Sequence, residues 1–148
     1  MRIIMDDAIE YGEKKVLVTS PEDVEALLRD KEIDQADREL FIVIGLDTRK
    51  RVIYADIESV GIDDAALVSP KCMFRTAVKK GAQAIILAHN HPSGDTSPSA
   101  ADIKITRTMI ESGKLLEISV LDHIIIGHQR GGHKITSIRE SGLVKFQD

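Results

Sequence analysis

Runs of consecutive apolar residues alternate with amphipathic stretches along the 148 residues of this chain. The runs at 40–44 and 84–88 predict buried strands, because a strand covered on both faces has apolar side chains at successive positions. The polar residues 47–50 predict a hairpin turn between 40–44 and a partner strand at 52–57. Further short strands are expected at 1–5, 15–19, 116–121, 123–126 and 134–138.

Three predicted helices begin with a serine followed by a proline, which together cap a helix and fit its first turn. The pairs are Ser20-Pro21, Ser69-Pro70 and Ser97-Pro98. The first helix is expected to reach about Lys31, and Gly81 and Gly113 are expected to end the other two. A short helix is also expected at 137–144.

The order of these elements indicates the fold class. A hairpin is followed by a helix, a strand, a second helix and more strands, which predicts an α/β fold with a mixed sheet flanked by helices. Hydrophobic residues make up 43% and charged residues 30% of the chain, a balance typical of globular proteins. We expect a single domain over 1–148, with a core of Ile, Leu, Val and Ala because aromatic residues are only 3%.

Composition excludes several classes of function. The net charge of −4 argues against a broad surface for the nucleic-acid backbone, although a local patch stays possible. Cys72 is the only cysteine, which excludes a disulfide framework and a cysteine-based zinc site. The N-terminal residues are too polar for a signal peptide, and no apolar run is long enough for a membrane span. A soluble, cytoplasmic protein is expected.

The chemistry is concentrated in residues 85–102. His89 and His91 lie two positions apart at the end of a predicted strand, so that both imidazoles point to the same face. Ser99 and Asp102 are three positions apart in the following helix and share one of its faces. Two imidazoles and one carboxylate with a fourth position open are typical of a catalytic zinc, one per chain. The alternative is that these are ordinary polar side chains.

Two further roles stay open on the residues alone. A general base for hydrolysis could be Glu39, Asp56, Glu58 or Asp95, all carboxylates near predicted strands or the histidine loop. Ser99 could either cap its helix or donate its hydroxyl proton to an oxyanion. Ser97 lies closer to the expected cap, so Ser99 need not serve both purposes.

His89 and His91 form a His-x-His pair, Ser99 follows after seven residues, and Asp102 follows after two more. This spacing resembles the signature of JAMM (MPN-plus) metalloproteases. The variant His-Asn-His-Pro-Ser-Gly-Asp, together with Asp122-His123, is similar to RadC-like proteins, and the resemblance covers about 39–143. It implies a cytidine-deaminase-like layout and hydrolysis of a peptide or isopeptide bond in a protein substrate. It also implies residue roles: zinc ligands His89, His91 and Asp102, general base Glu39, and oxyanion donor Ser99.

Other functions compete with this interpretation. RadC-like proteins are also associated with DNA repair and mobile elements, but residues 1–38 look like an extension without a clear helix-hairpin-helix. A zinc deaminase would need a Pro-Cys-x-x-Cys motif, which one cysteine excludes. An inactive scaffold would not need the full set of metal ligands, which this chain has. His123 is expected either to have a structural role or to support a metal ligand without binding the metal itself. His128 and His133 are expected to lie exposed in a glycine-rich turn.

Overall fold

The computed structural model of the chain describes residues 2–6, 16–60, 69–128 and 134–146. Within them lie six strands, four α-helices and one short 3-10 helix. In chain order these are β1 (Arg2–Asp6), α1 (Pro21–Asp30), the 3-10 helix (Ile33–Gln35), β2 (Leu40–Leu46), β3 (Val52–Val60), α2 (Pro70–Lys80), β4 (Ala84–His91), α3 (Ala100–Leu116), β5 (Ser119–Gly127), β6 (Ile135–Ser137) and α4 (Ile138–Ser141).

The six strands form one mixed sheet in the order β1-β3-β2-β4-β5-β6. Among the described pairs, β4 and β5 run parallel and are joined by α3, whereas the other neighbours are antiparallel. The predicted α/β class with a mixed sheet flanked by helices is confirmed. None of the helices in the described ranges combines the length and the apolar character needed to cross a bilayer.

Alternation along β4 decides which side chains face which helix. Ile85 and Leu87 belong to an apolar cluster that includes residues of α2 and α3. Ile86 and Ala88 belong to a second cluster, on the other face of the sheet, that includes residues of α1. Because side chains alternate along a strand, His89 and His91 follow Leu87 on the face that α3 covers.

The first two helices begin as the sequence predicts. The Ser20 hydroxyl accepts a hydrogen bond from the Asp23 amide, and the Ser69 hydroxyl accepts one from the Cys72 amide. Gly81 ends α2 with a positive φ of 70°, a conformation that glycine adopts without steric cost.

Both predicted ends of α3 were wrong. Its N-cap is Ser99 rather than Ser97, because Ser99 forms a reciprocal capping box with Asp102, the third residue of the helix. The helix also continues past Gly113 and ends at Leu116, with Glu117 in the left-handed conformation. Gly113 serves a different purpose, since a Cβ there would clash with the backbone oxygen of Ile118. The missing side chain lets the chain pass closely as it turns into β5.

Three predicted strands also differ from the structure. The strand expected at 15–19 is reduced, within described residues 16–19, to a bridge between Leu17 and Arg51, because the chain turns into α1 at once. β4 extends beyond 84–88 to His91, since β5 supplies backbone partners along its whole length. β5 is continuous where two strands were predicted, because the polar Asp122 is buried and hydrogen-bonded there.

Candidate metal centre

Four polar side chains meet at one end of the central strands, and a ligand atom of each lies within 4.8 Å of the others. They are Glu39, His89, His91 and Asp102. The antiparallel register that places Phe41 opposite His89 brings the residue preceding β2 to the end of β4. Asp102 enters from the first turn of α3. The structure thus brings together all three predicted metal ligands and the predicted base.

The three predicted ligands form the tighter part of this cluster. Nε2 of His89 lies 3.2 Å from Oδ1 of Asp102, and Nε2 of His91 lies 3.4 Å from Oδ2 of the same carboxylate. Donor atoms held at zinc-bond length in a tetrahedron are about 3.3 Å apart, close to these values. Glu39 is more distant, with Oε1 at 3.5 Å from Nε2 of His89 and 3.9 Å from that of His91.

The chemistry of these donors suits a cation. Nδ1 of His91 is 2.7 Å from the Asp95 carbonyl oxygen, which can only accept, so the neutral ring carries its proton on Nδ1. Its Nε2 lone pair then faces Nε2 of His89 at 2.9 Å, with two carboxylates beside them. These lone pairs and the negatively charged carboxylates repel one another unless a positive charge lies between them. The residues therefore fit a metal ion with nitrogen and oxygen ligands.

Electrostatics favour positive charge at the same place. A hydrogen bond with Asp102 raises the pKa of His91, although burial opposes this shift. Burial works against ionisation of Asp102, but the close His89 and His91 rings hold the pKa of that carboxyl well below its usual range. Asp102 is therefore ionised at neutral pH, and a proton and a metal ion compete for Nε2 of His91.

Ser99 is tied directly to the cluster through the capping box. Its hydroxyl accepts from the Asp102 amide at 3.0 Å, while its own amide donates to Oδ2 of Asp102 at 2.8 Å. The capping role, one of the two roles considered for Ser99, is therefore present. Since the hydroxyl oxygen only accepts in this contact, its proton stays available to another acceptor. Ser97 instead donates its amide to the Asp95 carboxylate.

The other carboxylates considered as a base lie outside the cluster. Among the described residues, Asp56, Glu58 and Asp95 are not part of the metal-binding group. Asp95 contributes through its carbonyl, which orients His91.

Of the two loop histidines, His128 is half-buried rather than exposed, and His133 lies outside the described residues.

Three residues near the cluster have contacts that the sequence did not reveal. Asn90 is 1% exposed, accepts from the Leu40 amide at 2.7 Å and donates to the Arg38 carbonyl at 3.0 Å. His123 is fully buried, and its Nε2 lies 2.7 Å from Nδ1 of His89. Asp122 accepts hydrogen bonds from the Ser137 hydroxyl and the Arg139 amide, which tie β5 to α4. In the sequence, the only signal for these three residues is that each is a polar residue inside an apolar strand.

The sequence matches the family described as RadC-like JAB domain over residues 18–143, a range that includes α1 as well as the stretch from Glu39. A UPF0758 protein of Desulforamulus reducens is 39% identical over 133 residues, covering 90% of this chain and 56% of the relative. One of Methanosarcina barkeri is 42% identical over 133 residues, with coverages of 90% and 56%. One of Moorella thermoacetica is 43% identical over 144 residues, with coverages of 93% and 61%. The chain thus spans less than two thirds of the length of these relatives.

Proposed function

The chain belongs to the family of RadC-like JAB domains, and on this premise we propose that it is a zinc-dependent metallopeptidase that hydrolyses a peptide or isopeptide bond. The observation that carries the proposal is the convergence of two imidazole nitrogens and one carboxylate, with Glu39 just beyond them. Nitrogen and oxygen ligands in this number are those of catalytic zinc sites, which keep one position open.

His89, His91 and Asp102 would hold the zinc ion. When bound, zinc brings the pKa of a coordinated water toward neutrality and polarises a carbonyl oxygen. The protein orients these ligands by contacts behind them. The Asp95 carbonyl holds His91, and the backbone amide of Ser99 holds the Asp102 carboxylate. Such outer contacts fix ligand direction and strengthen metal binding.

Glu39 would act as the general base and acid. It would take a proton from the attacking water and return it to the leaving amine, a role for a carboxylate near the ligands but not among them. The distances support this division, because Oε1 of Glu39 lies farther from both Nε2 atoms than the oxygens of Asp102 do. Its side chain is 30% exposed, which leaves it accessible to water and substrate.

Ser99 would stabilise the oxyanion that forms when water attacks the carbonyl. The amide of Asp102 occupies a lone pair of its hydroxyl oxygen, so the hydroxyl proton can point to substrate. The position at the N-terminus of α3 adds the positive end of the helix dipole, which also favours a developing negative charge.

A peptide library tests this proposal for a substrate of unknown sequence. Zinc-loaded protein is incubated with peptides from a proteome digest and with branched peptides carrying a lysine isopeptide bond, and mass spectrometry identifies new termini. We expect cleavage that disappears in metal-stripped protein and in the Glu39→Gln variant. Cleavage that persists equally in both preparations would come from a contaminating peptidase, and uncleaved peptides of both kinds would contradict the proposal.

A further inference from the structure

We infer that a hydrogen-bond chain from the Asp102 backbone carbonyl through Thr106 and His123 fixes the ring tautomer of His89 and thereby strengthens zinc binding. The inference rests on the metal site proposed above. It makes His123 and Thr106 positioning residues, which act on the metal only through His89.

The chain consists of three short contacts in the interior. The Thr106 hydroxyl oxygen lies 2.6 Å from the Asp102 carbonyl oxygen and 2.6 Å from Nδ1 of His123. Nε2 of His123 lies 2.7 Å from Nδ1 of His89. Thr106, His123 and His89 are each 0% exposed, so water does not compete for these contacts.

The direction of every bond follows from the carbonyl at the end. A carbonyl oxygen can only accept, so the single hydroxyl proton of Thr106 points to Asp102. The hydroxyl oxygen must then accept from Nδ1–H of His123. A neutral His123 with its proton on Nδ1 offers a lone pair at Nε2, which accepts from Nδ1–H of His89. His89 is left with a lone pair on Nε2, the atom that faces Asp102 at 3.2 Å.

The opposite direction would block the site. If Nε2 of His123 carried a proton, Nδ1 of His89 would accept it, and the proton of His89 would move to Nε2. That proton would point into the cluster, where Nε2 of His91 is 2.9 Å away, and His89 could not bind a cation.

Packing holds the two rings in this relation. Phe41 stacks on His89 with an angle of 9° between the rings, and it meets His123 edge-on at a centroid distance of 5.5 Å. Asp102 thus contributes twice to the site. Its carboxylate faces the histidines, and its carbonyl anchors the chain that orients one of them. The Asp95 carbonyl does the same for His91 in a single step.

A pair of substitutions at Thr106 tests the inference. Thr106→Val keeps the shape of the side chain but removes the acceptor for Nδ1–H of His123, so His123 is expected to move its proton to Nε2. Zinc affinity, measured by competition with a chromophoric chelator, should fall about tenfold or more. Thr106→Ser keeps the hydroxyl and should keep the affinity. Thr108→Val, on an exposed position of the same helix, controls for an effect of valine on α3.

Nitrogen NMR of metal-free protein gives the second readout, because protonated and unprotonated ring nitrogens have distinct chemical shifts. In its neutral form, the wild-type His89 ring should carry its proton on Nδ1, and Thr106→Val should shift this proton toward Nε2. Wild-type His89 protonated on Nε2, or equal zinc affinity of Thr106→Val and wild type, would overturn the inference. A wild-type protein that binds no zinc would instead contradict the proposed function, and the spectrum would still decide whether the chain sets the tautomer.

Discussion

The side chain of Asn90 holds the backbone on both sides of Glu39. Its amide oxygen accepts from the Leu40 amide at 2.7 Å, and its amide nitrogen donates to the Arg38 carbonyl at 3.0 Å. Asn90 itself lies in β4 between the two histidines of the cluster. One strand therefore supplies both imidazoles and fixes the backbone position of the proposed base.

Asn90→Ala should separate hydrolysis from metal binding. Two partly buried backbone hydrogen bonds would be lost, so the free energy of unfolding should fall by about 1–3 kcal/mol. Misplacement of Glu39 should lower kcat/KM by about 10²-fold, while zinc content stays at the wild-type value. Peptide cleavage, zinc analysis and urea unfolding measure the three quantities. Wild-type cleavage by a destabilised variant would show that Asn90 has only a structural role.

Glu39→Gln should leave zinc bound and lower the cleavage rate by about 10²–10⁴-fold, because only the proton-transferring group is lost. Glu58→Gln is the matched control, since Glu58 lies outside the cluster and its variant should cleave at the wild-type rate. If Glu39→Gln remains active and Glu58→Gln does not, the general base has been assigned to the wrong residue.

Ser99→Gly tests whether the hydroxyl does more than cap α3. Glycine is a tolerated N-cap, so the free energy of unfolding should change by only a few tenths of a kcal/mol. Loss of an oxyanion donor should lower kcat by about 10²–10³-fold. Chemical unfolding and steady-state cleavage of the same preparations compare the two effects. An unchanged kcat would leave Ser99 with the capping role alone.

Glu58 predicts a pH dependence of stability outside the metal centre. Burial, with the nearby Asp56 carboxylate, raises the pKa of Glu58 from 4.5 to about 7. Between these values the folded state keeps a proton that the unfolded state releases, so stability falls as the pH rises through this window. The full shift corresponds to about 3 kcal/mol, and because the side chain is only half-buried we expect about 1–2 kcal/mol.

The Glu58→Gln variant isolates this effect. Between about pH 4 and pH 8, the unfolding free energy of the variant should rise by about 1–2 kcal/mol relative to that of wild type. Both proteins are measured with excess chelator, so that titration of the metal centre does not contribute. A difference that is constant with pH would mean that Glu58 ionises freely in the folded protein.

The sequence was sufficient to predict the elements that have local signals. Ser20 and Ser69 cap helices where expected, and the alternation through Ile85, Leu87, His89 and His91 places both imidazoles on one face. The ends of α3 were not predictable in the same way. Ser97-Pro98 carries the stronger local cap signal, but the reciprocal bonds between Ser99 and Asp102 determine where the helix begins.

The supporting contacts depend on tertiary structure. Asn90 meets Arg38 and Leu40 about fifty positions earlier in the chain, and His123 meets His89 across two neighbouring strands. No spacing rule connects such residues, because strand order and register bring them together. The resemblance to JAMM proteins named the ligands, the base and the serine, but not the residues that hold them.

Zinc binding by wild type and His91→Ala tests the metal centre most directly. Protein purified without chelator and supplied with zinc should contain about one zinc per chain, measured by elemental analysis. His91→Ala should lose it, because two remaining ligands hold the ion weakly, and His128→Ala should retain it as the matched control. A folded wild type that takes up no zinc, or a His91→Ala variant that keeps one zinc per chain, would contradict the assigned site.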